Sequence, residues 1–186
     1  MKKLSLIILG ALLSLPVFAR DFKYTYKGQT ITYTIVNQAI KTCTTKCGEG
    51  DGYNGYSGND VSGELEIPAI ASDGMYEYSV IAIGECSFKN CNGLTSVTIP
   101  SSVKSIGDYA FYGCSLSSID IPDATTSIGN FTFCGCRELA SVTIPTSVTS
   151  IGEHTFAGCV RLTSVIIPNS VVHIGNGAFF DCRLNS

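Results

Sequence analysis

A motif that returns every 22 or 23 residues constrains this chain more than any other feature it carries. Four units read LTSVTIPSSVKSIGDYAFYGC from Leu94, LSSIDIPDATTSIGNFTFCGC from Leu116, LASVTIPTSVTSIGEHTFAGC from Leu139 and LTSVIIPNSVVHIGNGAFFDC from Leu162. Ile-Gly pairs open at Ile83, Ile106, Ile128, Ile151 and Ile174. Phenylalanines at 88, 111, 133, 156 and 179 and cysteines at 91, 114, 136, 159 and 182 keep the same step. The single 22-residue step comes from one residue missing between Cys114 and Leu116. Units this short bury too little apolar surface alone, so they must stack and share one core.

The pattern inside a unit gives its local structure. Val97 and Ile99 point to one face of a short strand and Thr98 to the other. Pro100 ends that strand because it has no N–H for a further ladder bond. Val103 and Ile106 cross the back, Gly107 is expected to permit a turn that a side chain would resist, and Ala110-Phe111 returns apolar bulk to the interior. An irregular first unit opens at Leu65-Glu66-Ile67-Pro68 and resumes at Ser79–Gly84; its nine extra residues are expected to protrude as a loop around Ala71 to Tyr78.

The fold expected is a β-rich solenoid of short parallel strands, about five coils and, at about 4.8 Å per strand, roughly 24 Å long. Its domain is placed at residues 62–186. Residues 20–61 do not repeat: Phe22–Tyr26 and Thr30–Val36 alternate around Lys27-Gly28-Gln29 as a β-hairpin, read as a cap on the first coil. Residues 1–19 read as a cleavable signal peptide, with Lys2 and Lys3, an apolar run from Leu4 to Leu15, and Val17-Phe18-Ala19 before the cut. The apolar run is short for a membrane span, so no membrane insertion is expected. Without the two leader lysines, ten basic residues face fifteen acidic ones. That balance disfavours nucleic acid as a partner.

The pattern L-x-x-V-x-I-P-x-x-V-x-x-I-G-x-x-A-F-x-x-C, over residues 62 to 182, resembles the BspA-type leucine-rich repeat of bacterial secreted and surface proteins. That resemblance implies secretion or cell-surface display, and adhesion to host matrix proteins or to other cells.

Chemistry in the sequence is sparse. Of nine cysteines, five hold the repeated interior position and are expected to form a ladder of buried thiols. Cys43 and Cys47, outside the repeat, are the candidate disulfide, while Cys86 and Cys134 are left unpaired. The two histidines, His154 and His173, occupy non-equivalent coil positions, which disfavours a zinc site or a base for a cysteine nucleophile. Gly50-x-Gly52-x-x-Gly55 matches the dinucleotide fingerprint in letters only, because no strand–helix frame surrounds it. Glu49, Asp51, Asn54 and Asp60 offer a weak calcium alternative. Asn130-Phe131-Thr132 is a glycosylation sequon on a turn expected to be exposed.

Neither an enzyme, a cofactor nor a metal is therefore expected. Strand register predicts two outward rows as the binding surface: Glu64, Ser96, Ser118, Ser141 and Ser164, and beside them Glu66, Thr98, Asp120, Thr143 and Ile166. A protein ligand from a host matrix or cell surface, or a glycan, is the expected partner. The alternative is a structural or assembly element that self-associates through its uncapped C-terminal coil.

Overall fold

The computed structural model describes residues 20–37, 42–45 and 61–185, and the regular structure it shows there is strand. The leader, Cys47, the glycine fingerprint and its acidic neighbours lie outside the described residues.

The N-terminal region forms β1 (Asp21–Tyr26), β2 (Gln29–Asn37) and β3 (Thr42–Thr45). Strands β1 and β2 pair antiparallel across a two-residue turn, in which Lys27 and Gly28 take φ of 47° and 79°. Positive φ at both positions matches the right-handed twist of a hairpin. Strand β4 (Gly63–Glu66) opens the first coil, and β5 (Ile70–Ser72) and β6 (Glu77–Ile83) follow. Here the expected loop is instead a hairpin: β5 pairs antiparallel with β6 and buries Ala71 and Tyr78 completely. Only its tip projects, held where the Asp73 carboxylate accepts N–H bonds from Met75 and Tyr76 at 2.9 and 2.8 Å. Each strand of the hairpin alternates on its own, burying Ala71 in β5 and Tyr78 and Val80 in β6, which the count of an insertion conceals.

The next three coils contribute two short strands each and the last contributes one. On one side lie β7 (Leu94–Thr98), β9 (Ser118–Asp120) and β11 (Ser141–Thr143); on another lie β8 (Ser105–Ile106), β10 (Ser127–Ile128), β12 (Ser150–Ile151) and β13 (His173–Ile174). The second set joins the cap in one sheet of order β1-β2-β3-β6-β8-β10-β12-β13. The cap hairpin therefore reaches the first coil through β3, which pairs parallel with β6.

A run of tight turns closes each coil and is bonded forward. Phe111 donates its N–H to Thr132 O at 2.9 Å, Phe133 to Thr155 O at 2.8 Å and Phe156 to Ala178 O at 2.7 Å. The sheet side is bonded backward, with Thr126 donating to Lys104 O, Thr149 to Thr126 O and Val172 to Thr149 O. Between these rows the rings of Phe88, Phe111, Phe133, Phe156 and Phe179 stack at 5.2 to 5.5 Å. Buried polar side chains are satisfied along the same axis: Thr132 and Thr155 donate to Gly129 O at 2.8 and 3.0 Å, and Thr125 to Val103 O at 3.0 Å.

The repeated glycine has a different reason from the one expected. Gly107, Gly129 and Gly152 do not take left-handed φ; a Cβ would lie 2.8 Å from Glu85 N at Gly107 and 2.5 Å from Gly129 carbonyl carbon at Gly152. Coils touch backbone to backbone there. Left-handed φ falls two residues later, on Tyr109 (56°), Phe131 (54°) and His154 (51°). Bulky residues are costly in that region. Their rings offset the cost by forming a second stack, 4.9 Å from Tyr109 to Phe131 and 5.0 Å from Phe131 to His154.

The stacked core makes a quantitative test possible. Phe133 is fully buried between two rings, so Phe133→Ala is expected to cost about 3–5 kcal/mol in a denaturant titration. A loss below about 1 kcal/mol would place the ring row outside the core.

Candidate binding surface

The outward rows are built by strand alternation. In β7, Val97 is buried while Ser96 and Thr98 are exposed; β9 and β11 repeat the pattern around Ile119 and Val142. Parallel pairing sets Glu64 against Ser96 and Glu66 against Thr98, and likewise Ser118 against Ser141 and Asp120 against Thr143. These eight residues lie in the two rows the sequence predicts.

Three departures reshape the surface. First, the ladder is two pairs, β4-β7 and β9-β11, and not one continuous sheet. A single bond, Ser117 N–H to Thr95 O at 3.2 Å, crosses between them. At the C-terminal ends of β7 and β9 lies a depression of about 570 Å³ lined by Ile99, Ser101, Asp120 and Asp123. Second, Ser164 and Ile166 are exposed but belong to no strand. Val165 and Ile167 are only partly buried, so the apolar anchors that seat the equivalent strands of earlier coils are half-seated here. Third, the cap claims part of the first rung: Lys27 forms an ion pair with Glu66, Tyr26 donates its hydroxyl to Glu66 Oε1 at 3.2 Å, and Gln29 Nε2 donates to Glu64 O at 2.7 Å. The Lys27 ammonium beside Glu66 holds its carboxyl below the ordinary range. The part of the face free to meet a ligand therefore starts at Ser96 and Thr98.

The cysteine positions form a ladder with a specific contact. Each thiol donates to the phenylalanine carbonyl of the preceding coil: Cys114 to Phe88 O at 3.1 Å, Cys136 to Phe111 O at 3.2 Å, Cys159 to Phe133 O at 3.3 Å and Cys182 to Phe156 O at 3.1 Å. Burial pushes the Cys114, Cys136 and Cys159 thiols well above their usual range. Cys43 is buried in β3 beneath Tyr78 O, and burial pushes its thiol up to about 12. Its candidate partner Cys47 lies outside the described residues.

The sequon is not on a free turn. Asn130 donates Nδ2 to Asp108 Oδ2 at 3.4 Å and accepts the Glu153 N–H at 2.7 Å, while Thr132 is buried. His154 is half-buried in the ring stack and His173 lies exposed in β13. Among the described residues no group of three or more His, Cys, Asp or Glu is placed to hold a metal, and no helix is long and apolar enough to cross a membrane. Sequence reasoning missed the row Tyr109, Phe131 and His154. Its signal was present as an aromatic recurring at one coil position.

The family described as BspA type leucine rich repeat region matches residues 75–185 in six copies, where the sequence reading gave about five coils. Arg183-Leu184-Asn185 repeats the opening of the unit at Arg161-Leu162-Thr163, and Asn185 donates its N–H to Thr163 O at 2.9 Å, as a next coil would. A leucine-rich repeat protein from Bacteroides ovatus ATCC 8483 is similar at 33% identity and a TM-score of 0.66, over 80% of this chain and 37% of that one. The T. pallidum leucine rich repeat protein is similar at 31% identity and a TM-score of 0.71, over 87% of this chain and 69% of that one. The pneumococcal vaccine antigen PcpA shares the fold, at 17% identity and a TM-score of 0.62, over 82% of this chain and 46% of that one. No curated protein matches the chain.

The thiol ladder has a pH signature. Unfolded thiols ionise near pH 8.5, whereas the folded ones stay protonated, so their contribution is complete below that pH and is lost as pH rises toward the folded values. The urea midpoint is expected to fall between about pH 8.5 and 10, and Ellman's reagent to reach Cys114, Cys136 and Cys159 only on unfolding. Fast labelling of all three in the native protein would contradict the ladder.

Proposed function

The chain belongs to the BspA-type leucine-rich-repeat family, and on that premise we propose that it is an exported, non-catalytic binding protein that attaches to proteins of a host matrix or a cell surface. One observation carries this reading: Ser96 and Thr98, Ser118 and Asp120, Ser141 and Thr143 stand exposed in two aligned rows on a rigid backbone. Short hydroxyl side chains lose little rotamer entropy when a partner covers them. The strands beneath are already ordered, so binding requires no folding step. The leader-like residues 1–19 support export, and the scarcity of grouped acid–base residues supports a role without chemistry.

Surface plasmon resonance over immobilised extracellular-matrix proteins tests it. The variant carrying Thr98→Lys, Asp120→Lys and Thr143→Lys is expected to lose the binding that the parent shows while keeping its melting temperature. Unchanged affinity would remove the strand face from the proposal.

A second reading, assembly through the last coil, has its own observation. In the last coil Ile166 and Val172 are each 85% exposed and Phe180 70%, and Ile174 and Leu184 are exposed as well. Apolar exposure concentrated in one place marks a contact surface. Under this reading Val172→Lys converts a concentration-dependent oligomer to monomer in sedimentation velocity. A parent that stays monomeric across the concentration range would exclude it.

A further inference from the structure

Inside the stacked coils the repeat is broken at the turn after Cys114, where Ser115 alone separates cysteine from leucine. The flanking coils place Asn92-Gly93 and Arg137-Glu138 there. A turn one residue shorter than both neighbours lies recessed between them. The result is a notch of about 430 Å³ bordered by Asn92, Tyr112, Ser115, Arg137 and Glu138. That volume falls within the range of small-molecule sites.

Its chemistry is specific. Gly113 and Gly135, at left-handed φ of 70° and 74°, line it and contribute no side chain of their own. The Cys114 thiol is turned onto Phe88 O and offers nothing to a ligand. Glu138 is neutralised by Arg161 at 2.9 Å, whereas Arg137 is exposed and makes no ion pair among the described residues. Outside the lining, the Lys89 ammonium lies 5.2 Å from the Tyr109 ring centre and 5.8 Å from that of Tyr112. A chain of net charge −3 thus carries a locally positive notch, with one aromatic ring and Asn92 beside the free guanidinium.

We propose that this notch binds a carboxylate-bearing sugar residue, as in a uronic-acid polysaccharide. The Arg137 fork takes the carboxylate in two parallel hydrogen bonds, an arrangement suited to its planar geometry. The Tyr112 ring and the two glycines meet the C–H faces of a pyranose, and Asn92 and Tyr112 supply hydrogen bonds to its hydroxyls. An acidic peptide would satisfy Arg137 but bring no pyranose face to Tyr112. The site is separate from the strand face, so it stands or falls independently of the function proposed above.

Isothermal titration of the full chain with trigalacturonate, galactotriose and hexaglutamate tests it. Trigalacturonate is expected to bind at least about tenfold more tightly than either other probe, and Arg137→Ala to weaken it by about tenfold or more. Insertion of one glycine between Ser115 and Leu116 restores the 23-residue step and is expected to abolish binding. Should that insertion unfold the protein, Ser115→Tyr, which fills the notch from a half-buried position at the cost of the Ser115 hydroxyl bond to Asn92 O, is expected to give the same loss. The Thr98→Lys, Asp120→Lys, Thr143→Lys variant is expected to bind trigalacturonate unchanged. Absence of binding, equal binding of galactotriose, equal binding of hexaglutamate, or indifference to Arg137→Ala would each overturn the proposal.

Discussion

Contact between one coil and the next, at the spacing of paired β-strands, is the constraint from which the rest of this structure follows. A coil by itself has backbone groups exposed along both edges and half a core. Placing a second coil against it satisfies the donors of the turn side, the acceptors of the sheet side and the apolar interior together. The phenylalanine rings stack at 5.2 to 5.5 Å because the backbone pairing dictates that step. Stability is therefore shared between neighbours, and no coil owns its part of the core.

The same spacing explains which residues the repeat tolerates. Where backbones approach most closely only glycine fits, as the 2.5 Å clearance at Gly152 illustrates. At the end of each turn a cysteine is small enough to be buried and carries one weak donor, which it spends on the carbonyl behind it. Serine would demand stronger hydrogen bonding there, and alanine would remove the thiol contact between coils, leaving each carbonyl only the backbone N–H of the cysteine in its own coil. The left-handed positions divide in two: Gly113, Gly135 and Gly158 hold one without strain, while Tyr109, Phe131 and His154 hold the other by stacking.

Individuality enters where the repeat is interrupted. The β5–β6 hairpin that follows β4, the cap that grips Glu66, and the shortened turn at Ser115 each break translational symmetry. Each also creates a surface that no other coil has. The strand face supplies an ordered polar surface, and these interruptions divide it. That division suits a protein whose proposed role is to hold something and not to transform it.

The sequence by itself determined the solenoid, its step, the buried identity of the Phe and Cys rows and the two outward rows of Ser, Thr and Asp. All of these depend on local periodicity, which repeats the same environment in every unit. Tertiary structure decided what depends on neighbours. Glu66 was legible as an outward residue, but its capture by Lys27 was not, because 39 residues separate the pair. The split of the ladder between β7 and β9, the loss of strand at Ser164 and Ile166, and the true reason for Gly107 all arise from how one coil seats on the next. A single-residue deletion reads as a small irregularity along the chain; only in three dimensions, with a longer turn on each side, does it become a notch.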